Sequence, residues 1–237
     1  MPQHELLRTR TEQHKAKNSK SKIDDKDIYR AMEMVTEYLE HRFDFENTYK
    51  NYSIVFEKEL TVGEMITYLR QKNLRFEFDF NYEDRCIKPD GGILFLQSTE
   101  WNIRKPLIFA EIKRQGTNDS RAMEGKKRQA VGNAIERLGK NLTGIKAMMN
   151  YERITPFVCF GWGCDFSPSE KTVMSKISML NEFYPINRTY VFKKDGSSDL
   201  NDFSPVSMYF REERWSTDEM FEIMKEIAET SFRYYVF

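Results

Sequence analysis

Cysteine and histidine are scarce in this 237-residue chain, three of each, and the shortage removes several kinds of chemistry. Cys86, Cys159 and Cys164 are odd in number and too few for a disulfide framework. The Cys159-x4-Cys164 spacing has no histidine near it to complete a zinc site, because His4, His14 and His41 all lie far upstream. Three reduced, partly buried thiols are expected. Long apolar runs are missing too. None reaches the ~18–20 residues that a membrane span requires, and Met1-Pro2-Gln3-His4-Glu5 lacks the apolar core of a signal peptide. A cytoplasmic location is the resulting expectation. The third absence is an excess of charge: 37 basic residues stand against 37 acidic ones. Taken as a total, that balance argues against a polyanionic ligand.

What is present reads as a soluble globular chain, with 40% hydrophobic and 31% charged residues and a length suited to one large domain. The charge, moreover, is not spread evenly. Residues 1–23 carry Arg8, Arg10, Lys15, Lys17, Lys20 and Lys22 against Glu5 and Glu12. Residues 111–146 carry nine bases against Glu111, Asp119, Glu124 and Glu136. Two basic zones on an acidic remainder make a directional field able to steer a polyanion to one face, although a basic run is also consistent with a merely solvated surface. The polar first stretch lacks an apolar period, so residues 1–23 are expected to form a basic, flexible arm and residues 24–237 a single domain.

Periodicity supplies the elements. From Asp27, read as an N-cap, the spacing Ile28, Ala31, Met32, Val35, Leu39 predicts the first helix. Thr61-Val62-Gly63-Glu64 has the form of a capping box opening a second, with Met65, Ile66, Tyr68 and Leu69 following. Leu74, Phe76, Phe78 and Phe80 alternate with polar residues as in a half-buried strand. Further strands are predicted at about 92–97, 106–113 and 156–160, with shorter ones at 189–192 and 206–210. Leu107 to Ala110 is apolar at every position, as in a strand covered on both faces. A helix at about 127–149 has Ala130, Ala134, Leu138, Leu142 and Ile145 as its inner stripe, and the capping box Ser216-Thr217-Asp218-Glu219 opens the last helix. The implied class is α/β, a mixed central sheet flanked by helices.

Asp90, in Lys88-Pro89-Asp90-Gly91-Gly92, and Glu111 and Lys113, in Ala110-Glu111-Ile112-Lys113, form the candidate chemical centre. Residues i and i+2 on a strand share a face, so Glu111 and Lys113 emerge side by side at the end of an apolar strand. With Asp90 from a neighbouring strand they make a hard-oxygen set suited to Mg²⁺. Such a set can hydrolyse a phosphodiester, the metal polarising the phosphate and activating water while Lys113 orients that water and offsets charge. A plain surface Glu/Lys pair also fits these residues. Downstream, Asn133, Glu136 and Arg137 at i, i+3 and i+4 share one side of a helix. Asn pairs with the N6/N7 edge of adenine and Arg with purine acceptors; an ordinary polar helix start is the competing reading. Arg114, Lys126, Lys127, Arg128 and Lys140 are candidates for phosphate contacts beside that helix.

Ile87-Lys88-Pro89-Asp90-Gly91-Gly92-Ile93, Ala110-Glu111-Ile112-Lys113-Arg114-Gln115-Gly116 and Gly132-Asn133-Ala134-Ile135-Glu136-Arg137 together resemble, in order, segments of the EcoRI-type restriction endonucleases, members of the PD-(D/E)xK nuclease class. Weaker similarity extends to Thr11-Glu12-Gln13-His14-Lys15, Tyr184-Pro185-Ile186-Asn187 and Met220-Phe221-Glu222-Ile223-Met224. The resemblance implies a restriction-endonuclease-like fold with an N-terminal arm and Asp90, Glu111 and Lys113 as catalytic residues. It also implies Mg²⁺ held by Asp90, Glu111 and the Ile112 carbonyl. It further implies that Asn133, Glu136 and Arg137 read inner AATT bases with support from Ala134, and that a homodimer acts on palindromic double-stranded DNA. A cognate DNA methyltransferase is the implied functional partner in a prokaryotic cell. Gln129 and Ala130 precede the Gly132 segment and join the base-reading candidates, while Lys171 and Lys176 stand where a family member carries a pair of arginines. The outer base is therefore open: GAATTC, purine-AATT-pyrimidine or AATT. A structure-specific nuclease of the same fold and a catalytically silent DNA-binding module are the alternatives. The base-edge groups disfavour the first, and the intact Asp90, Glu111 and Lys113 disfavour the second.

Overall fold

The computed structural model describes residues 3–72, 84–98, 100–116, 118–127, 133–166, 175 and 206–237. Its centre is a sheet built from β1 (Ser53–Glu57), β4 (Gly92–Ser98), β5 (Ile103–Arg114), β6 (Phe157–Trp162) and β7 (Val206–Arg211), in the order β1-β4-β5-β6-β7. β1, β4 and β5 are antiparallel neighbours, whereas β5, β6 and β7 run parallel. The sheet is therefore mixed, with β5 at the junction of its two halves. A small ribbon pairs β2 (Leu60–Thr61) with β3 (Cys86–Ile87).

Helices cover both faces, which is why the central strands are apolar at successive positions. On one face, α1 (Gln3–Arg42) and α5 (Thr217–Val236) bury Ile28, Ala31, Met32, Val35, Leu39, Met220 and Met224 with Leu94, Ile108, Ala110, Ile112, Val158 and Phe160. On the other, α2 (Val62–Lys72) and α4 (Asn133–Met148) bury Tyr68, Leu138, Leu142 and Ile145 with Ile93, Phe95, Phe109, Phe157 and Cys159. A short helix, α3 (Asn118–Met123), lies between β5 and α4.

Both capping boxes form. The Thr61 hydroxyl accepts from the Glu64 N–H at 3.1 Å while Glu64 accepts from the Thr61 N–H at 2.7 Å. Ser216 and Glu219 repeat the reciprocal pattern at α5. The predicted start of the first helix is corrected: Asp27 is not a cap, and α1 runs unbroken back to Gln3. That extension is rich in Glu, Leu, Arg, Gln, Lys and Ala, which favour helix without needing an apolar stripe. The helix predicted at about 127–149 begins at Asn133 among the described residues. The strands predicted at 74–80 and 189–192 lie outside the described residues. The three cysteines are free, Cys159 buried and Cys86 exposed rather than partly buried. No helix among the described residues is long and apolar enough to cross a membrane.

Candidate active site

β5 loses one neighbour before the other. Its pairing with β4 ends at Gly92↔Ala110, while pairing with β6 continues to Arg114↔Trp162. Residues 111–114 are therefore held by β6 along one edge and, among the described residues, open along the other. The Ala110 carbonyl accepts from the Gly91 N–H at 2.9 Å on the β4 side, and carbonyls two residues apart point to the same edge. The Ile112 carbonyl thus faces the open edge.

Asp90 reaches that edge through a tight turn. Gly92 N–H donates to the Pro89 carbonyl at 3.0 Å, and Gly92 adopts φ +78°, a conformation that favours glycine. Gly91 is required for space: a Cβ there would lie 2.7 Å from Ile28 Cδ1 and 2.9 Å from Ala110 Cβ. The Pro-Asp-Gly-Gly order is therefore what lets α1 and β5 close on the turn and set Asp90 beside Glu111.

The three predicted catalytic residues come together. Asp90 N–H donates to Glu111 Oε2 at 3.2 Å. Lys113 Nζ donates to Asp90 Oδ2 and forms an ion pair with Glu111 Oε1. Glu111 is fully buried, whereas the Asp90 side chain is 36% exposed, so the cluster opens to solvent on the Asp90 side. Burial, with Asp90 adding to it, pushes the Glu111 carboxyl up to about 7 in spite of Lys113. For Lys113 burial acts downward, but Glu111 and Asp90 outweigh it and hold the ammonium above its ordinary value.

These residues fit a hard divalent cation. Apart from its ion pair with Lys113, the buried Glu111 Oε1 accepts no hydrogen bond from the described residues, and a buried carboxylate oxygen left that way is costly. Among the described residues no three Asp, Glu, His or Cys side chains converge on one ion. Two carboxylates, a backbone carbonyl and oxygens from water or phosphate match what Mg²⁺ takes.

Of the remaining predicted residues, Arg114 is exposed at the end of β5 with its guanidinium 4.8 Å from the Trp162 ring. Lys126 pairs with Glu124 at 2.5 Å, and the Lys127 carbonyl accepts from Arg121 at 2.7 Å. Lys140 is exposed on α4. Asn133, Ala134, Glu136 and Arg137 lie in the first turns of α4, and their side chains lie outside what the structure describes. Arg128, Gln129, Ala130, Lys171 and Lys176 also lie outside the described residues. Sequence reasoning overlooked Gly91 and Ile28, whose contact seats the turn; the paired glycines after Pro89-Asp90 were the available signal.

The family described as Restriction endonuclease EcoRI matches the chain over residues 13–236. The chain is 30% identical over 181 residues to the type II restriction enzyme RsrI of Cereibacter sphaeroides, covering 64% of this chain and 65% of that enzyme. It is 30% identical over 183 residues to the type II restriction enzyme EcoRI of Escherichia coli, covering 62% and 64%. The chain thus spans about two thirds, 65% and 64%, of the length of these relatives. With the match extending from residue 13, within α1, to the end of α5, the chain belongs to the EcoRI family of restriction endonucleases.

Proposed function

We propose that this protein is a type II restriction endonuclease of the PD-(D/E)xK fold class, making Mg²⁺-dependent double-strand cuts by phosphodiester hydrolysis. Its site is a palindrome with an AATT core (GAATTC, purine-AATT-pyrimidine or AATT), leaving 5′ AATT overhangs. The observation that carries this reading is Lys113 bridging Asp90 and a fully buried Glu111 at the open edge of β5.

Asp90, Glu111 and the Ile112 carbonyl are the residues to hold Mg²⁺, which when bound supplies phosphate polarisation and a more acidic water. Lys113 projects from the same strand face as Glu111. Its ammonium orients the attacking water and offsets negative charge growing on the phosphate. β6 keeps this part of β5 rigid, so the groups need little reorganisation during reaction. Asn133, Glu136 and Arg137 read the AATT bases at the start of α4, supported by Ala134, with Gln129 and Ala130 beside them. Arg114, Lys126, Lys127, Arg128 and Lys140 contact the backbone, and Lys171 and Lys176 serve the outer base or its phosphates.

Two copies related by a two-fold axis place one such site on each strand of a palindrome. Residues 1–23 act as the N-terminal arm of the single domain 24–237. The enzyme works in the cytoplasm of a prokaryotic cell whose DNA is protected by a cognate methyltransferase. Incubation with plasmid DNA and Mg²⁺ followed by sequencing of the ends tests the proposal. Discrete fragments with AATT overhangs are expected and also identify the outer base; random nicking or uncut plasmid overturns it.

A further inference from the structure

We infer that Arg214 is a positioning residue for the catalytic centre: its guanidinium clamps α1 through Asp24 and Asp27, and α1 in turn seats the turn that carries Asp90. The inference rests on the reading of Asp90 as a site residue given above. Arg214 lies in the loop between β7 and α5. Its Nε donates to Asp24 Oδ1 at 2.9 Å and its Nη2 to Asp27 Oδ2 at 2.6 Å. One planar fork thus spans two carboxylates of α1, a geometry that a lysine does not reproduce. The Arg214 end is itself fixed. Arg211 donates to the Glu213 and Arg214 carbonyls at 3.1 and 2.8 Å, and to both carboxylate oxygens of Glu219 at 2.7 and 2.6 Å. Trp215 Nε1 donates to the Gly161 carbonyl of β6 at 2.9 Å. The loop is therefore tied to β6, β7 and α5 at once.

The other end of the clamp reaches the site through Ile28. Asp24 and Ile28 are four residues apart and share one side of α1. Ile28 is fully buried, and a Cβ on Gly91 would lie 2.7 Å from its Cδ1. Gly91 N–H donates to the Ala110 carbonyl at 2.9 Å and Asp90 N–H to Glu111 Oε2 at 3.2 Å, so a shift of Ile28 is passed to both carboxylates. That contact needs support from outside the core. Among the described residues the apolar seam of α1 runs from Ile28 to Leu39, while Ile23, just beyond it, is 49% exposed. The residue that presses on the turn is thus the last apolar anchor of the helix, and end contacts are the first to open. Asp24 extends the packed side by one more turn, and does so with a charge: it is 4% exposed, and its Oδ2 has no hydrogen-bond partner among the described residues. Removing one member of such a buried pair strands the other charge. Loss of Arg214 therefore drives Asp24 towards water and lifts Ile28 from Gly91, with the rest of the core left in place.

The test compares wild type, Arg214→Gln and Arg214→Lys as full-length proteins, by hydrogen exchange read with mass spectrometry and by cleavage of plasmid DNA with Mg²⁺. In Arg214→Gln, peptides over residues 24–31 and 88–92 should exchange faster by about tenfold or more, the scale set by losing a charge-assisted bond in a local opening. Peptides over 138–145 and 157–162 should not change. Arg214→Lys keeps the charge but not the fork and should fall between the two. Single-turnover cleavage should slow by about 10–100-fold with binding of the same DNA in Ca²⁺ unchanged, a split that a general loss of stability does not produce. If residues 88–92 exchange as in wild type, or rise only in step with 138–145 and 157–162, the inference falls. It falls too if their exchange rises while cleavage is unaltered. If wild type cuts no DNA, the nuclease reading fails, and the exchange comparison alone decides whether Arg214 seats the turn.

Discussion

Replacing Glu111 by Gln should stabilise the metal-free protein at alkaline pH and change little at pH 5. In the unfolded chain a glutamate loses its proton near 4.5, but in the folded protein burial holds that of Glu111 up to about 7. The folded state therefore binds more protons between those values, and stability contributed below pH 4.5 is lost as pH rises through 7. At 1.36 kcal/mol per pH unit the loss is on the order of 3 kcal/mol, with no discount for solvent screening because Glu111 is fully buried. Gln keeps the shape and has no proton to lose. For a chain of this size each kcal/mol moves the midpoint by roughly 2–4 °C, so Glu111→Gln should melt roughly 6–12 °C above wild type at pH 8.5 and close to it at pH 5. Asp24 and Asp25, also raised by burial, are common to both proteins and largely drop out of the difference. Calorimetric midpoints with EDTA across pH 5 to 8.5 measure it, and added Mg²⁺ should raise wild type alone. A variant no more stable than wild type at pH 8.5 would refute the claim that Glu111 is held at a cost for the cation.

Three further outcomes concern the scaffold. Ser216→Ala removes the hydroxyl that accepts from the Glu219 N–H, one half of the α5 capping box, and leaves the Ser216 N–H bond to Glu219 in place; it should cost about 1 kcal/mol, read from urea midpoints. The bond from Arg211, then Ser216, holds Glu219 down at about 2, so stability present above pH 4.5 is lost as pH falls towards 2, a loss that Glu219→Gln should flatten. Leu142→Ala, at a fully buried position of the α4 stripe, should cost about 2–5 kcal/mol; a loss below about 1 kcal/mol would mean that α4 does not seal that face.

The parts of this protein legible in the sequence are those whose signal is local. β4, β5 and β6 announce themselves as unbroken apolar runs because both their faces are covered. α4 shows its Leu138, Leu142 and Ile145 stripe, and both capping boxes lie within four residues. Glu111 and Lys113 were readable because strand geometry alone places them together. β1 was not, since an edge strand that mixes exposed and half-covered residues gives no clean alternation. Nor was the Asp24–Arg214 ion pair at 2.9 Å, whose partners stand far apart in the chain. The role of Gly91 depends on Ile28 arriving from another helix, which no spacing rule contains.

The position of the site follows from the change of strand direction within the sheet. Antiparallel pairing with β4 needs only a short connection and stops at Ala110, where the Pro89 to Gly92 turn leaves the sheet. Parallel pairing with β6 continues to Arg114. The overlap leaves Glu111, Ile112 and Lys113 on a strand that is rigid along one edge and, among the described residues, unpaired along the other. A central strand paired on both sides would have spent the Ile112 carbonyl on the ladder, and a free end would have left Glu111 exposed to water. Only the unequal ending supplies a buried carboxylate, an open carbonyl and a fixed lysine at once. The same unequal ending admits the turn that carries Asp90 and exposes it to α1. Extending β4 pairing past Ala110 would therefore abolish the site without disturbing either core.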